Sequence, residues 1–145
     1  MPLTEIANRI ESGAGRLVEA WVEAVRSDAT IRSDEDLTEG GLVDHVPQLI
    51  EEVCAVLRSG RRPTIENTHE ARVHAYTRFR QGYRARDLVR ETSLLRTILS
   101  DHVAGLLRAP RGHADPLPHL EAIRTINLYM DEELRYAVSI YTESQ

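Results

Sequence analysis

The spacing of the apolar residues constrains this chain most, because it recurs every three or four positions and never alternates. Between residues 88 and 106 the positions Leu88, Thr92, Leu95, Leu99, His102 and Leu106 follow such steps. An α-helix repeats about every 3.6 residues and a strand every two, so these steps line one face of a helix. "RLVEAWVEAVR" sets Leu17, Trp21, Ala24 and Val25 on one face in the same way. Leu42, Val46, Leu49, Ile50, Val53 and Leu57 form a third stripe. A fourth runs through Leu120, Ile123, Asn127, Met130, Leu134, Ala137 and Tyr141, a heptad-like seam with one polar position. No segment has the period of a half-buried strand. The expected class is all-α: a single-domain helical bundle of about five to six helices spanning residues 1–145.

Breakers divide the pattern into elements. A short first helix runs from Thr4 to about Ser12, before Gly13 and Gly15. "SDATIRSDEDLTEGG" reads as a loop with short turns. Pro47 conflicts with a continuous helix over 42–59, since it lacks an N–H and crowds the preceding turn. A short helix up to His45 or Val46, then a kink or a fresh start with Pro47 in the first turn, resolves the conflict. Gly60 is a C-cap, and Thr64 can cap a helix from 65 to about 81. Gly82 then marks a sharp turn, with a new helix from about Ala85 to Asp87. "APRGHADPLP" is a loop, and the last helix covers about 119–143.

Charge is segregated along the chain. Residues 1–57 hold four Arg and twelve acids, residues 58–96 ten Arg and four acids, and residues 97–145 four Arg and seven acids. A basic middle between acidic ends points to pairing of the central helices with the outer ones, or with those of a second copy. A sequence pI of about 5.7 argues against nucleic acid as the partner. All eighteen basic residues are Arg and none is Lys; that fits a GC-rich genome and is poor evidence for an anion site. Apolar runs are short and broken by charge, so no membrane span is expected. The acid-bearing N-terminus lacks the apolar core of a signal peptide, and the one cysteine, Cys54, cannot form an internal disulfide. A cytoplasmic location follows.

The segment "HAYTRFRQGYRARDLVRETSLLR", residues 74–96, carries six arginines and three aromatic rings around Gly82. If Gly82 turns the chain, the flanking helices form an αα-hairpin. Counting from the turn sets Arg78 near Leu88 and Glu91, and His74 near Thr92. His74 and Arg78 are four apart and share a face. One reading is a partly buried ion cluster that fixes the hairpin register. The other is a polar site that senses a small anion or a pH change through His74.

The same residues resemble the N-terminal sensory domain family of the RsbR/RsbRD proteins, the RsbT co-antagonists, which also occurs at the front of sensor histidine kinases. The resemblance rests on His74, Arg78, Gly82-Tyr83, Leu88-Val89, Glu91 and Leu95-Arg96. "INLYMDEELRYAVSIY", with Asn127, Asp131 and Tyr141, is similar to the family's closing helix, and "LVEAWVEAVR" and "LVDHVPQLIEEV" to its opening ones. Arg84-Ala85 stands where the family usually has a Ser or Asp cap, which leaves the start of the following helix open. The resemblance implies an all-helical domain, globin-like or bundle-like, without haem, dimeric, with no enzymatic activity and no cofactor, serving as an input module.

The candidate sensing cluster is therefore His74, Arg78, Tyr83, Glu91 and Arg96, with Gly82 as the hinge. The candidate dimer seam is Leu120, Ile123, Asn127, Met130, Leu134 and Tyr141, where a single Asn would specify dimeric register. The same seam could instead be buried within one bundle. Partners are then a second copy, a protein or downstream signalling domain, and an unidentified small ligand. A static dimerisation and docking scaffold is the alternative. A haem or metal binder is a weaker one: Glu70 and His74 are one turn apart, but His69 and His74 point about 140° apart, and Phe79 is the only Phe to wall a porphyrin. Cys54 reads as packing and Trp21 as core. The ending one residue beyond "TES", after a strong helix, fits a domain cut from a longer regulator or kinase, and a whole protein stays open beside it.

Overall fold

The computed structural model describes residues 1–107 and 115–143, so most of the expected loop after residue 108 lies outside the described residues. Helices α1 (Leu3–Ser12) and α2 (Ala14–Ser27) are joined at Gly13. A short α3 (Glu39–Val43) precedes α4 (Val46–Ser59), and α5 (His69–Arg80), α6 (Ala85–Leu106) and α7 (Leu117–Glu143) complete the chain. No strand occurs among the described residues. The chain is all-α, as its periodicity requires.

Local chemistry explains the breaks. Thr38 caps α3 by accepting from the Gly41 N–H at 3.0 Å. The chain then bends at Asp44, whose φ is 38°, and α4 restarts with Pro47 in its first turn. The expected Thr64-capped helix divides in two. Thr64 and Asn67 form a reciprocal capping box on one 3-10 turn, Ile65–Asn67, and α5 begins only at His69. Gly82 has a φ of 82°, in the left-handed region that favours glycine, and the Tyr83 N–H returns to the Arg78 carbonyl at 3.0 Å. That closes α5 and aims the chain into α6, which starts at Ala85 without a side-chain cap.

The main apolar core joins α1, α2, α4, α6 and α7 around Ile6, Trp21, Leu49, Val53, Leu99, Ile126 and Met130. A smaller cluster at the hairpin end holds Ala75, Tyr83, Leu88 and Ala137, with Leu37, Tyr136, Ile140 and Tyr141 against it. The hairpin arms α5 and α6 touch each other little; α7 lies along both. The space between the three helices is therefore closed by whatever α5, α6 and α7 each turn inward, and much of that is polar. Part of the charge segregation resolves within one chain. Arg58 pairs with Glu11, Arg90 with Asp28 at 2.7 Å, and Arg96 with Asp131 at 3.3 Å.

Candidate functional site

Three of the residues singled out on the hairpin converge on one oxygen. Glu91 Oε1 accepts from Arg78 Nε at 2.6 Å and pairs with His74 Nε2 at 3.1 Å. His74 and Arg78 stack because they are one helical turn apart on α5. Both reach Glu91, although counting sets His74 nearest Thr92 and places Glu91 to pair with Arg78, with His74 as the further option. All three are closed off: His74 is 2% exposed, Arg78 and Glu91 0%. An oxygen already bonded to a guanidinium is a charged acceptor, so His74 donates its Nε2–H to it.

Arg78 is fully used. Its Nη1 donates to the Gly41 carbonyl at 3.1 Å and to Gln81 Oε1 at 2.8 Å, and its Nη2 donates to the Leu42 carbonyl. One buried guanidinium thus ties α5 to α6 and to the last turn of α3. Its carbon lies 4.8 Å from the centroid of the Tyr83 ring, a cation–π contact. Burial would raise the Glu91 carboxyl, but the His74 hydrogen bond and the Arg78 charge outweigh it and hold the group below the usual range. Tyr83 OH, buried beside Glu91, is pushed above the ordinary phenol range.

Arg96 does not join this cluster. It sits five residues beyond Glu91, about 140° round the helix. Its guanidinium goes to Asp131 on α7, and the side chain is 30% exposed. The named seam residues also separate. Met130 is buried in the core and Ile123 packs against it, whereas Leu120 is 57% exposed and Asn127 and Leu134 are half-buried. The inward face of α7 is rotated from the seam: His119, Ala122, Ile126, Tyr129, Met130, Glu133 and Ala137. Tyr141 faces the hairpin, donates its hydroxyl to the Tyr83 carbonyl at 2.7 Å and packs edge-on against Phe79.

Several residues of this polar core escaped the sequence reading. Glu133 is 1% exposed and accepts from the Thr92 hydroxyl at 2.8 Å. Trp21, expected as plain core, also donates its indole N–H to the Glu91 carbonyl at 3.0 Å. Asp87 holds the loop before α3 by accepting from Ser33 Oγ at 2.6 Å and from the Ser33 and Arg32 N–H groups. Burial would raise its carboxyl, and those bonds hold it below the usual range. Glu133 and Asp87 left a signal, an acid on the inward stripe of a helix, which only the correct helix register exposes.

Of the surface cavities, one at Glu52, Arg62 and Asn67, one at Leu3, Leu57 and Arg124, and one at Leu128, Glu132 and Val138, none is lined by His74, Arg78, Tyr83 or Glu91. Among the described residues no group of three or more His, Cys, Asp and Glu is placed to hold a metal ion. Cys54 is buried, its Sγ lies 3.5 Å from the Ala7 carbonyl, and burial pushes its thiol up to about 11. That is the environment of a packing residue and not of a nucleophile. No described helix is long and apolar enough to cross a membrane.

Residues 15–145 match the family described as RsbT co-antagonist protein rsbRD N-terminal domain. No curated protein and no solved structure matches the chain. A match over that much of the sequence, on a strand-free helical fold, settles the family: the chain belongs to the RsbRD N-terminal domain family of RsbT co-antagonist proteins, a family of sensory and regulatory domains.

Proposed function

We propose that this domain is a non-enzymatic, dimeric signal-input module of a bacterial regulatory protein, working in the cytoplasm, and that α7 relays its state. The observation that carries the reading is the hydroxyl of Tyr141 on the Tyr83 carbonyl at 2.7 Å. Tyr83 lies under Arg78, and Arg78 holds Glu91, so the buried cluster is mechanically continuous with the last turns of α7. A change in the cluster alters the seat of Tyr141, and a helix that leads onward passes such a change as a shift or rotation. The second copy docks on the outward face of α7, where Leu117, Leu120 and Val138 are 61%, 57% and 60% exposed. Asn127 lies at the edge of that face and sets the register of the pair. The family description names RsbT, and a signalling protein of that kind is the partner we assign.

The test is light scattering of the chain beside Asn127→Leu and Val138→Glu. The reading expects a dimer that Val138→Glu splits. Hydrogen exchange in residues 134–143 should then change when the signalling partner is added. Monomers throughout, or an α7 indifferent to the partner, count against it.

One observation favours a static docking scaffold. The cluster is closed and packed, whereas a small-ligand sensor needs an opening. Exchange rates in α7 that stay constant with every partner and condition would decide for the scaffold.

A further inference from the structure

The buried cluster leaves four polar atoms without a hydrogen-bond partner: Glu133 Oε2, Glu91 Oε2, His74 Nδ1 and the Tyr83 hydroxyl. Glu133 accepts one hydrogen bond, from Thr92, through Oε1; its Oε2 is buried without a partner. His74 gives Nε2 to Glu91, and its Nδ1 is buried without a partner. A carboxylate at 1% exposure with a single hydrogen bond is poorly stabilised as an anion, because burial removes water and Thr92 supplies only one donor. Glu91, by contrast, has both Arg78 and His74. With Arg78 and Glu91 balancing each other, an ionised Glu133 is the unbalanced charge of this buried set.

We propose that Glu133 forms a proton-binding site inside the helical core, so that the signal this domain reads is pH. A proton from solvent adds to Glu133 Oε2 and makes a neutral acid, and the charges of Arg78 and Glu91 then balance each other. Loss of that proton leaves a net charge of −1. That buried charge is relieved when α7 moves Glu133 toward water. The cluster is closed to molecules, and a proton needs only a transient opening.

The surroundings agree. Glu133 is faced by His74 and Arg78 from α5 and by Glu91 and Thr92 from α6. On its own helix Tyr129 lies one turn earlier, its hydroxyl given to Glu52 of α4 at 2.7 Å, with Glu70 of α5 beyond. Burial pushes the Glu133 carboxyl above the usual carboxylate range and the Glu91 charge adds to this, against His74, Thr92 and Arg78. The proposal rests on the signal-input reading and supplies its input.

Trp21, the chain's one tryptophan, is a built-in reporter, because its indole N–H bonds to the residue beside Thr92. Its fluorescence should show a one-proton transition displaced above the ~4.3 of an exposed Glu. Glu133→Gln should abolish the transition with the far-ultraviolet circular dichroism unchanged. A transition that survives Glu133→Gln, or none in the wild type, overturns the site. If Glu133→Gln does not fold, carboxyl carbon resonances of glutamate-labelled wild type decide. One Glu titrating above that value supports the site; no such Glu, or one fixed in its acid form throughout, overturns it. Hydrogen exchange of residues 134–143 across the transition separates the two readings. A Glu133-dependent transition with no change there leaves the proton site and removes the relay. A missing transition, with α7 still responding to the protein partner, does the reverse.

Discussion

Arg78 Nε lies 2.6 Å from Glu91 Oε1, and neither side chain has any exposed surface. A buried pair of this kind adds little net stability but is costly to break from one side, because the survivor keeps its charge without water. Arg78 also holds the Gly41 and Leu42 carbonyls, so its loss would free the end of α3 as well.

Glu91→Ala should therefore destabilise the fold by about 3–5 kcal/mol, read from urea unfolding. The paired change Arg78→Met with Glu91→Leu should recover a large part of that loss. A double variant no better than the single would show that Arg78 acts mainly through the α3 carbonyls.

Gly82→Ala isolates backbone strain. A Cβ there would meet nothing within 4 Å, so the cost comes only from the φ of 82°. It should be about 1–2 kcal/mol, seen as a lower urea midpoint with an unchanged slope. Gly105, in α6 with open space around it, should respond oppositely. Gly105→Ala should stabilise by up to about 1 kcal/mol.

The pH dependence of stability should have an acid limb set by His119 and Glu91. His119 is 1% exposed with both ring nitrogens unpartnered, and burial, then the nearby N-terminal amine, hold its proton affinity below the usual 6.5. A group depressed in the folded state contributes stability that is complete above its unfolded value and is lost as pH falls through the folded one. Stability should thus decline below 6.5, and again below 4.5 as Glu91 is protonated. His119→Leu should flatten the first decline in urea midpoints taken from pH 7 to pH 5. Glu133 has the opposite sign: raised in the fold, it contributes most below 4.5 and loses that contribution as pH climbs through its folded value.

Tyr141→Phe removes the hydroxyl that anchors α7 to the Tyr83 carbonyl while keeping the ring against Phe79. It should cost about 1 kcal/mol. Hydrogen exchange should quicken in residues 138–143 and remain unchanged in α1 and α4.

Much of this was legible in advance where the cause is local. The fresh start at Pro47, the Gly60 cap, the turn at Gly82 and the His74–Arg78 stripe each depend on a few adjacent residues. Arg96, expected in the cluster, lies outside it, also for a local reason: a five-residue step from Glu91 turns a side chain to another face. Glu133 was hidden for a different reason. The heptad steps through Leu120, Asn127 and Leu134 compete with the stripe through His119, Ile126 and Glu133, and both have helical spacing. Only the neighbours of α7 select between them.

Periodicity and breakers alone determined the long helices, their order and the turn between α5 and α6, though not the short α3 or the split after Asn67, because backbone hydrogen bonds and capping act over four or five residues. Tertiary structure alone decided that α7 closes the space between the hairpin arms, that Trp21 and Tyr141 reach the cluster, and that a second carboxylate is buried there. Those contacts join residues 41 to 77 positions apart. No spacing rule spans such separations; they follow from which helix faces exclude water together.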